Sequence, residues 1–222
     1  MDVSIPAGAV RLEGGLELPA GPRGVVAFSH GSGSGRKSPR NRFVAGELRK
    51  SGLGTLLLDL LTLDEDRDVE MRFDIALLTA RLADAVRFLA EHKATRGLPV
   101  GLFGASTGAA SALRVAAAMP QRIGAVVSRG GRPDLTGATA LARVKAPTLL
   151  IVGGDDTGVI ELNEQAGRAL ASCPHELVLV PGATHLFEEP GTLEQVAALA
   201  AQWFVRHLAS HEEVPAGRRH PA

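Results

Sequence analysis

Short apolar runs alternate along this chain with longer segments in which apolar residues recur every three or four positions. The runs are four or five residues long and lack the regular polar alternation of a half-exposed strand. Continuous apolar runs of this length are typical of parallel strands that are covered on both faces. The predicted buried strands span residues 25–29, 55–59, 100–103, 125–128, 148–152 and 177–180.

The segments between these runs predict amphipathic helices. Pro39 stands at the start of one helical pattern, and Pro120 and Pro174 mark the ends of others. Strands that alternate with helices predict a right-handed, doubly wound, mostly parallel sheet with helices on both faces, in a single α/β domain. The predicted helices span residues 39–50, 72–93, 107–119, 160–171 and 192–208.

Two further segments complete the predicted architecture. Residues 10–12 and 16–18 alternate apolar and charged positions around Glu13-Gly14-Gly15, which predicts a hairpin at a sheet edge. The interval between residues 128 and 148 is too short to hold a helical cap over this edge of the sheet. A substrate site at this edge is therefore expected to be open to water.

Composition limits the size of the fold and its partners. The chain has 222 residues, of which 45% are hydrophobic, enough for one substantial core. We expect the domain to occupy residues 1–210 and residues 211–222 to form a flexible, solvated tail. Twenty-four basic and 24 acidic residues give a formal net charge of zero, which argues against a nucleic-acid partner.

The cysteine count and the first residues indicate a location. Cys173 is the single cysteine, so no internal disulfide can form, and Met1-Asp2-Val3-Ser4 lacks the basic and apolar regions of a secretory signal. The apolar runs are far shorter than the ~20 residues that a membrane-spanning helix requires. We expect a cytoplasmic protein without membrane association, and the pattern leaves its oligomeric state open.

Gly104-Ala105-Ser106-Thr107-Gly108 lies directly between a predicted strand and a predicted helix. This is the Gly-x-Ser-x-Gly pattern in the strand-turn-helix setting of a nucleophile elbow. The turn projects the serine hydroxyl above the sheet, and the glycines remove side chains that would collide where strand and helix approach. Ser106 is therefore the candidate nucleophile.

A serine nucleophile needs a base, and that base needs a carboxylate to hold its tautomer. His185 follows the last predicted strand through a Pro-Gly turn, which makes it the candidate base among seven histidines. Asp155 and Asp156 follow the preceding strand, and Asp156 is favoured as the triad acid. Asp155 stays an alternative, and Asp59, at the end of an earlier strand, is a more remote one.

The loop after the first buried strand carries the candidate oxyanion hole. One donor is expected to be the N–H of Thr107, directly after the nucleophile, and the other the N–H of Ser32. His30 and Gly31, which precede Ser32, are possible substrate-binding residues; alternatively, His30 orients the loop through hydrogen bonds. Polar residues that follow form either a rim of the site or a solvated basic face: Ser34, Arg36, Lys37, Arg40 and Arg42.

Arg129 follows another strand at the same predicted edge. Its bidentate fork either contacts a substrate carboxylate or pairs with Asp134 or Asp156. Neither the triad nor this arginine requires a metal or an organic cofactor.

Residues 31–38 nearly match the phosphate-binding pattern Gly-x-x-x-x-Gly-Lys-Ser. Arg36 stands where the second glycine belongs, and its side chain would crowd the space in which backbone N–H groups face a phosphate. Nucleotide binding at this loop is therefore the remote alternative, because it leaves the elbow and the ordered acid and histidine unexplained.

Four motifs together resemble the α/β-hydrolase superfamily, and within it the small, uncapped, dienelactone-hydrolase-like branch: His30-Gly31-Ser32-Gly33, Gly104 to Gly108, Gly153-Gly154-Asp155-Asp156 and Gly182-Ala183-Thr184-His185. The resemblance implies this fold and a serine-hydrolase triad. True dienelactone hydrolases have a cysteine at the elbow, where this chain has Ser106, so the lactone substrate does not carry over. The chain is also similar to hydrolase-like domains found beside phosphoribosyltransferases.

These residues predict a serine hydrolase that cleaves the carboxylic ester of a small or exposed acyl substrate through an acyl-enzyme. A thioester or amide hydrolase would use the same residues, so the sequence does not separate these activities. A catalytically silent, hydrolase-like binding domain is the alternative from a different class.

Overall fold

An eight-stranded sheet forms the centre of the protein, for which a computed structural model describes residues 1–208. The strand order is β1-β2-β4-β3-β5-β6-β7-β8. Strands β3 to β8 pair in parallel, whereas β1 and β2 form an antiparallel edge joined to β4. The strands are β1 (Asp2–Ala7), β2 (Val10–Glu17), β3 (Val25–Ser29), β4 (Gly54–Leu58), β5 (Val100–Ala105), β6 (Ile123–Arg129), β7 (Thr148–Gly153) and β8 (His175–Val180).

Helices cover both faces of this sheet. The helices are α1 (Pro39–Lys50), α2 (Val69–Phe73), α3 (Ile75–Glu91), α4 (Thr107–Ala118), α5 (Ala138–Leu141), α6 (Thr157–Ala169) and α7 (Thr192–His207). One apolar core lies under α3, α4 and α6, and a second lies under α1 and α7. Because the central strands are buried on both faces, they carry the continuous apolar runs seen in the sequence.

The predicted doubly wound, single-domain α/β fold is confirmed, and the predicted strands are present with ends displaced by up to two residues. The helix predicted over residues 72–93 is divided, because the Asp74 side chain accepts a hydrogen bond from the Leu77 N–H at 2.9 Å and starts α3 there. The interval after β6 holds only a 3₁₀ turn (Pro133–Thr136) and α5. The tail predicted at 211–222 lies outside the described residues.

The predicted hairpin around residues 13–15 is wrong. Strand β2 runs straight through Gly14 and pairs with β1 on one side and β4 on the other. A Cβ at Gly14 would lie 3.1 Å from Val3 Cγ2 and 3.3 Å from Leu56 Cδ1. The glycine therefore permits close packing inside a strand rather than a turn, and the hairpin turn lies between β1 and β2 at Gly8.

The parallel strands bring their carboxyl ends to one edge, where loops carrying the candidate residues converge. No helix within residues 1–208 has both the length and the apolar character needed to cross a membrane.

Candidate active site

Ser106 sits in a backbone conformation that few residues other than glycine adopt. Its φ is 51° and its ψ is −121°, between the end of β5 and the start of α4. A Cβ at Gly104 would come within 2.5 Å of Ala109 Cα, and one at Gly108 would overlap the carbonyl oxygen of Ser29. Both glycines of the motif are thus required by close backbone approach. The strained conformation costs on the order of 1–3 kcal/mol and presents the serine side chain at the sheet edge.

Ser106, His185 and Asp156 lie in one hydrogen-bonded chain. His185 Nε2 is 3.3 Å from Ser106 Oγ, and His185 Nδ1 is 2.7 Å from Asp156 Oδ2. Asp156 occupies the N-cap position of α6, yet its side chain accepts no helix N–H. A capping carboxylate normally stabilises a helix by ~1 kcal/mol. The Asp156 carboxylate instead faces the imidazole.

The other two acids weighed from the sequence lie elsewhere. Asp155 is exposed, and its backbone N–H donates to the Ala183 carbonyl at 3.0 Å. Asp59 accepts hydrogen bonds from Arg36, at 2.7 Å from the backbone N–H and at 2.8 Å from Nε. Of the three carboxylates, only Asp156 contacts His185 among the described residues.

The loop that carries His185 is held by contacts that sequence reasoning missed. The Thr184 hydroxyl donates to Glu189 Oε1 at 2.5 Å, and the Thr184 N–H donates to Oε2 at 3.2 Å. The hydroxyl contact, followed by backbone hydrogen bonds, lowers the pKa of the Glu189 carboxyl. Phe187 has a φ of 55° and is buried beneath the loop. In the sequence, Glu189 looks like an ordinary solvent-exposed charge four residues after His185, so no sequence pattern predicts its contact with Thr184.

The two predicted oxyanion donors are adjacent, but one is already engaged. Gly31 brings its loop against Ser106, since a Cβ at Gly31 would lie 3.1 Å from Ser106 Cβ. The Ser32 N–H donates to Thr107 Oγ1 at 3.0 Å. To act as an oxyanion donor, the Ser32 N–H would first have to release Thr107 Oγ1. The Thr107 N–H lies in the first turn of α4, where a backbone N–H has no partner within the helix.

His30 links two strand ends. The Leu60 N–H donates to His30 Nε2 at 3.0 Å, so Nδ1 carries the proton and donates to the Gly31 carbonyl at 3.0 Å. Burial lowers the pKa of His30, against smaller opposing effects of the Gly31 carbonyl and of Asp59 and Asp66. Both ring nitrogens are occupied by backbone groups, an arrangement that favours a role in positioning the loop.

Arg129 is not paired with either acid considered in the sequence. Asp134 binds Arg132 through both carboxylate oxygens, and Asp156 faces His185. The Arg129 guanidinium instead lies 5.7 Å from the centroid of the Phe187 ring.

The loop over residues 31–38 faces a carboxylate at the position of its mismatched arginine. Both the backbone N–H and the side chain of Arg36 bind Asp59. Beside them lies a groove of about 420 Å³ lined by His30, Leu61 and Leu63, among others. Within residues 1–208, no three His, Cys, Asp or Glu side chains are grouped closely enough to hold a metal ion.

Residues 67–209 match the model of the dienelactone hydrolase family. The chain belongs to this family. A dienelactone hydrolase from Anabaena variabilis is 53% identical, with a TM-score of 0.91, over 94% of this chain and 97% of that one. Est1E from Butyrivibrio proteoclasticus has a TM-score of 0.79 at 15% identity, covering 94% of this chain and 99% of that one, and shows the shared fold alone.

Curated relatives of this family member come from Mycobacterium tuberculosis strains CDC 1551 and H37Rv. Both carry the provisional name of a phosphoribosyl transferase and are 57% identical over 208 residues, which cover 93% of this chain and 46% of theirs. The chain thus spans about half the length of the curated relatives it matches, and the name describes those longer proteins.

Proposed function

We propose that this member of the dienelactone hydrolase family is a serine hydrolase that cleaves carboxylic esters. The observation that carries the proposal is the hydrogen-bonded chain from Ser106 Oγ through His185 to Asp156, built on an elbow whose backbone is strained. Strain of this kind persists where the surrounding structure enforces it, and it is concentrated at functional sites.

The mechanism follows from the positions of these atoms. His185 Nε2 takes the proton of Ser106 as Oγ attacks the ester carbonyl, and Asp156 stabilises the imidazolium. His185 then protonates the departing alcohol, and an acyl-enzyme remains. Water, deprotonated by the same imidazole, releases the acid. The Thr107 N–H, and the Ser32 N–H once exchanged from Thr107 Oγ1, are the proposed oxyanion donors, each worth about 3 kcal/mol in the transition state.

The surroundings of Ser106 favour a small-molecule substrate whose acyl group is either small or exposed. The segment after β6 provides only α5 and a short turn, and the groove beside His30 lies on the loop that touches Ser106. Cys173 is a buried free thiol, which is consistent with the expected reducing cytoplasm.

Hydrolysis of short p-nitrophenyl esters tests this proposal. We expect turnover by the native protein and a fall of at least about 10⁴-fold in kcat for both Ser106→Ala and His185→Ala, because the pair acts as a unit. Ser172→Ala and His175→Gln, which alter an exposed serine and an exposed histidine outside the candidate site, are the controls. Loss of turnover in the controls, or retention in the triad variants, would contradict the assignment. Matched thioester and anilide substrates establish which acyl bond gives the highest kcat/KM.

A further inference from the structure

Arg129 carries a positive charge into the interior beside the candidate catalytic residues. The residue is 5% exposed, and within residues 1–208 no carboxylate or other hydrogen-bond acceptor pairs with its guanidinium. The two acids that the sequence offered as partners are paired elsewhere, Asp134 with Arg132 and Asp156 with His185. A buried cation without a counter-ion opposes folding. Its presence therefore requires an explanation outside stability.

Arg40, at the second residue of α1, contributes a second cation to the same place. Its Nη1 binds the exposed Glu188 at 2.8 Å, while its Nε is fully enclosed and unpartnered among the described residues. Burial, and secondarily the charge of Arg40, lower the pKa of Arg129 to about 10, so Arg129 remains protonated at neutral pH. Two guanidinium groups thus repel each other and retain unused N–H donors.

The position of Arg129 connects this charge to the triad. Val127 packs in the core under α1 and α7, and alternation along β6 directs Arg129 to the same face. Its guanidinium contacts Phe187, two residues after His185, and its carbonyl accepts the Ser106 N–H at 3.2 Å.

The nitrogens of Arg129 are not completely enclosed. None of its three nitrogens is among the fully enclosed, unpartnered polar atoms, in contrast to Nε of Arg40 and of Arg81. The small exposed fraction of the residue therefore includes its donors.

We propose that Arg129 and Arg40 form a subsite for a carboxylate or phosphate group, so that the ester attacked by Ser106 carries an anion. The inference rests on the proposed esterase function and names its substrate class. The planar guanidinium fork binds either oxyanion through two parallel hydrogen bonds, which are strengthened by exclusion of water. A bound anion also removes the repulsion between the two arginines.

The first test compares two esters with the same acyl length, mono-4-nitrophenyl adipate and 4-nitrophenyl hexanoate. The measured quantity is the ratio of kcat/KM for the anionic ester to kcat/KM for the neutral one. We expect a ratio above 1 for the native protein, a fall of 10- to 100-fold for Arg129→Met, and a smaller fall for Arg40→Met. The control, Arg132→Met, removes an arginine of the same loop that is already paired with Asp134 and keeps the native ratio.

A second readout needs no turnover. Succinate or inorganic phosphate, compared with sodium chloride at equal ionic strength, should raise the Tm of the native protein and not that of Arg129→Met. Response to succinate alone assigns a carboxylate, and response to phosphate alone assigns a phosphate. The Tm of Arg129→Met without anion should equal or exceed the native value, because an unpaired buried charge is removed.

The outcomes separate the subsite from the proposed function. Neutral-ester turnover with an anionic-to-neutral ratio near or below 1, or an equal loss of ratio in Arg132→Met, would overturn the subsite and leave the esterase intact. Absence of all turnover would overturn the esterase function, and the anion-dependent Tm would then decide the subsite. An unchanged native Tm with both anions would count against it.

Discussion

The substitution Asp156→Asn removes one negative charge from the candidate triad and keeps the shape of the side chain. In the structure the Asp156 carboxylate accepts from His185 Nδ1 at 2.7 Å, which leaves Nε2 free to accept the proton of Ser106. An amide can instead donate to Nδ1 and hold the tautomer that carries its proton on Nε2. That tautomer cannot act as the base, so we expect Asp156→Asn to impair the chemical step.

The size of the effect follows from this geometry. The Asp156 side chain is 16% exposed, so its interaction with the imidazole is only partly screened by water. The equivalent change in a serine-protease triad lowers kcat by about 10⁴-fold, equivalent to about 5 kcal/mol in the activation free energy. Asp155 is exposed and its side chain makes no hydrogen bond to His185 or Ser106, so Asp155→Asn should change kcat by less than about twofold.

Steady-state hydrolysis of a p-nitrophenyl ester measures both variants, and thermal unfolding shows that each is folded. A kcat for Asp156→Asn within tenfold of the native value would refute the assignment of the triad acid. An equal loss in Asp155→Asn would refute the distinction between the two neighbours.

Two further predictions concern the framework of the site. Gly108→Ala should lower the free energy of unfolding by at least about 3 kcal/mol, because the added methyl group overlaps the Ser29 carbonyl. Gly158→Ala, at the same position of α6, has open space around it and should raise the free energy of unfolding by about 0.4–1 kcal/mol. Urea unfolding measures both. Burial lowers the pKa of His30, so below pH 6.5 the unfolded state binds a proton that the native state does not. The free energy of unfolding should therefore fall, as the pH is lowered, by up to about 1.4 kcal/mol per pH unit. His30→Gln should remove this contribution and His175→Gln should not; equal slopes of unfolding free energy against pH in all three proteins would contradict the effect.

The sequence was sufficient for the fold and for the placement of the candidate triad. Continuous apolar runs marked the buried strands, and Ser106, Asp156 and His185 each follow one of them, so their convergence at one edge was predictable. The double glycine at residues 14 and 15 misled the hairpin prediction because glycine permits both a turn and close packing in a strand.

Side-chain pairing was the part that the sequence could not provide. The Ser32 N–H bonds the Thr107 hydroxyl across 75 residues, and no local pattern specifies such a contact. Likewise, Arg129 had two plausible acidic partners in the sequence, and only the structure shows both of them committed to other residues. Whether a buried charge is paired depends on tertiary contacts rather than on neighbouring residues.

The most direct test of the central claim is the covalent labelling of Ser106. Intact-protein mass spectrometry after treatment with a fluorophosphonate should show one added label on the native protein, none on Ser106→Ala, and strongly slowed labelling on His185→Ala, because the hydroxyl is reactive only when His185 takes its proton. Absence of label on the folded native protein, or undiminished labelling of Ser106→Ala, would contradict the assignment of a serine-hydrolase triad.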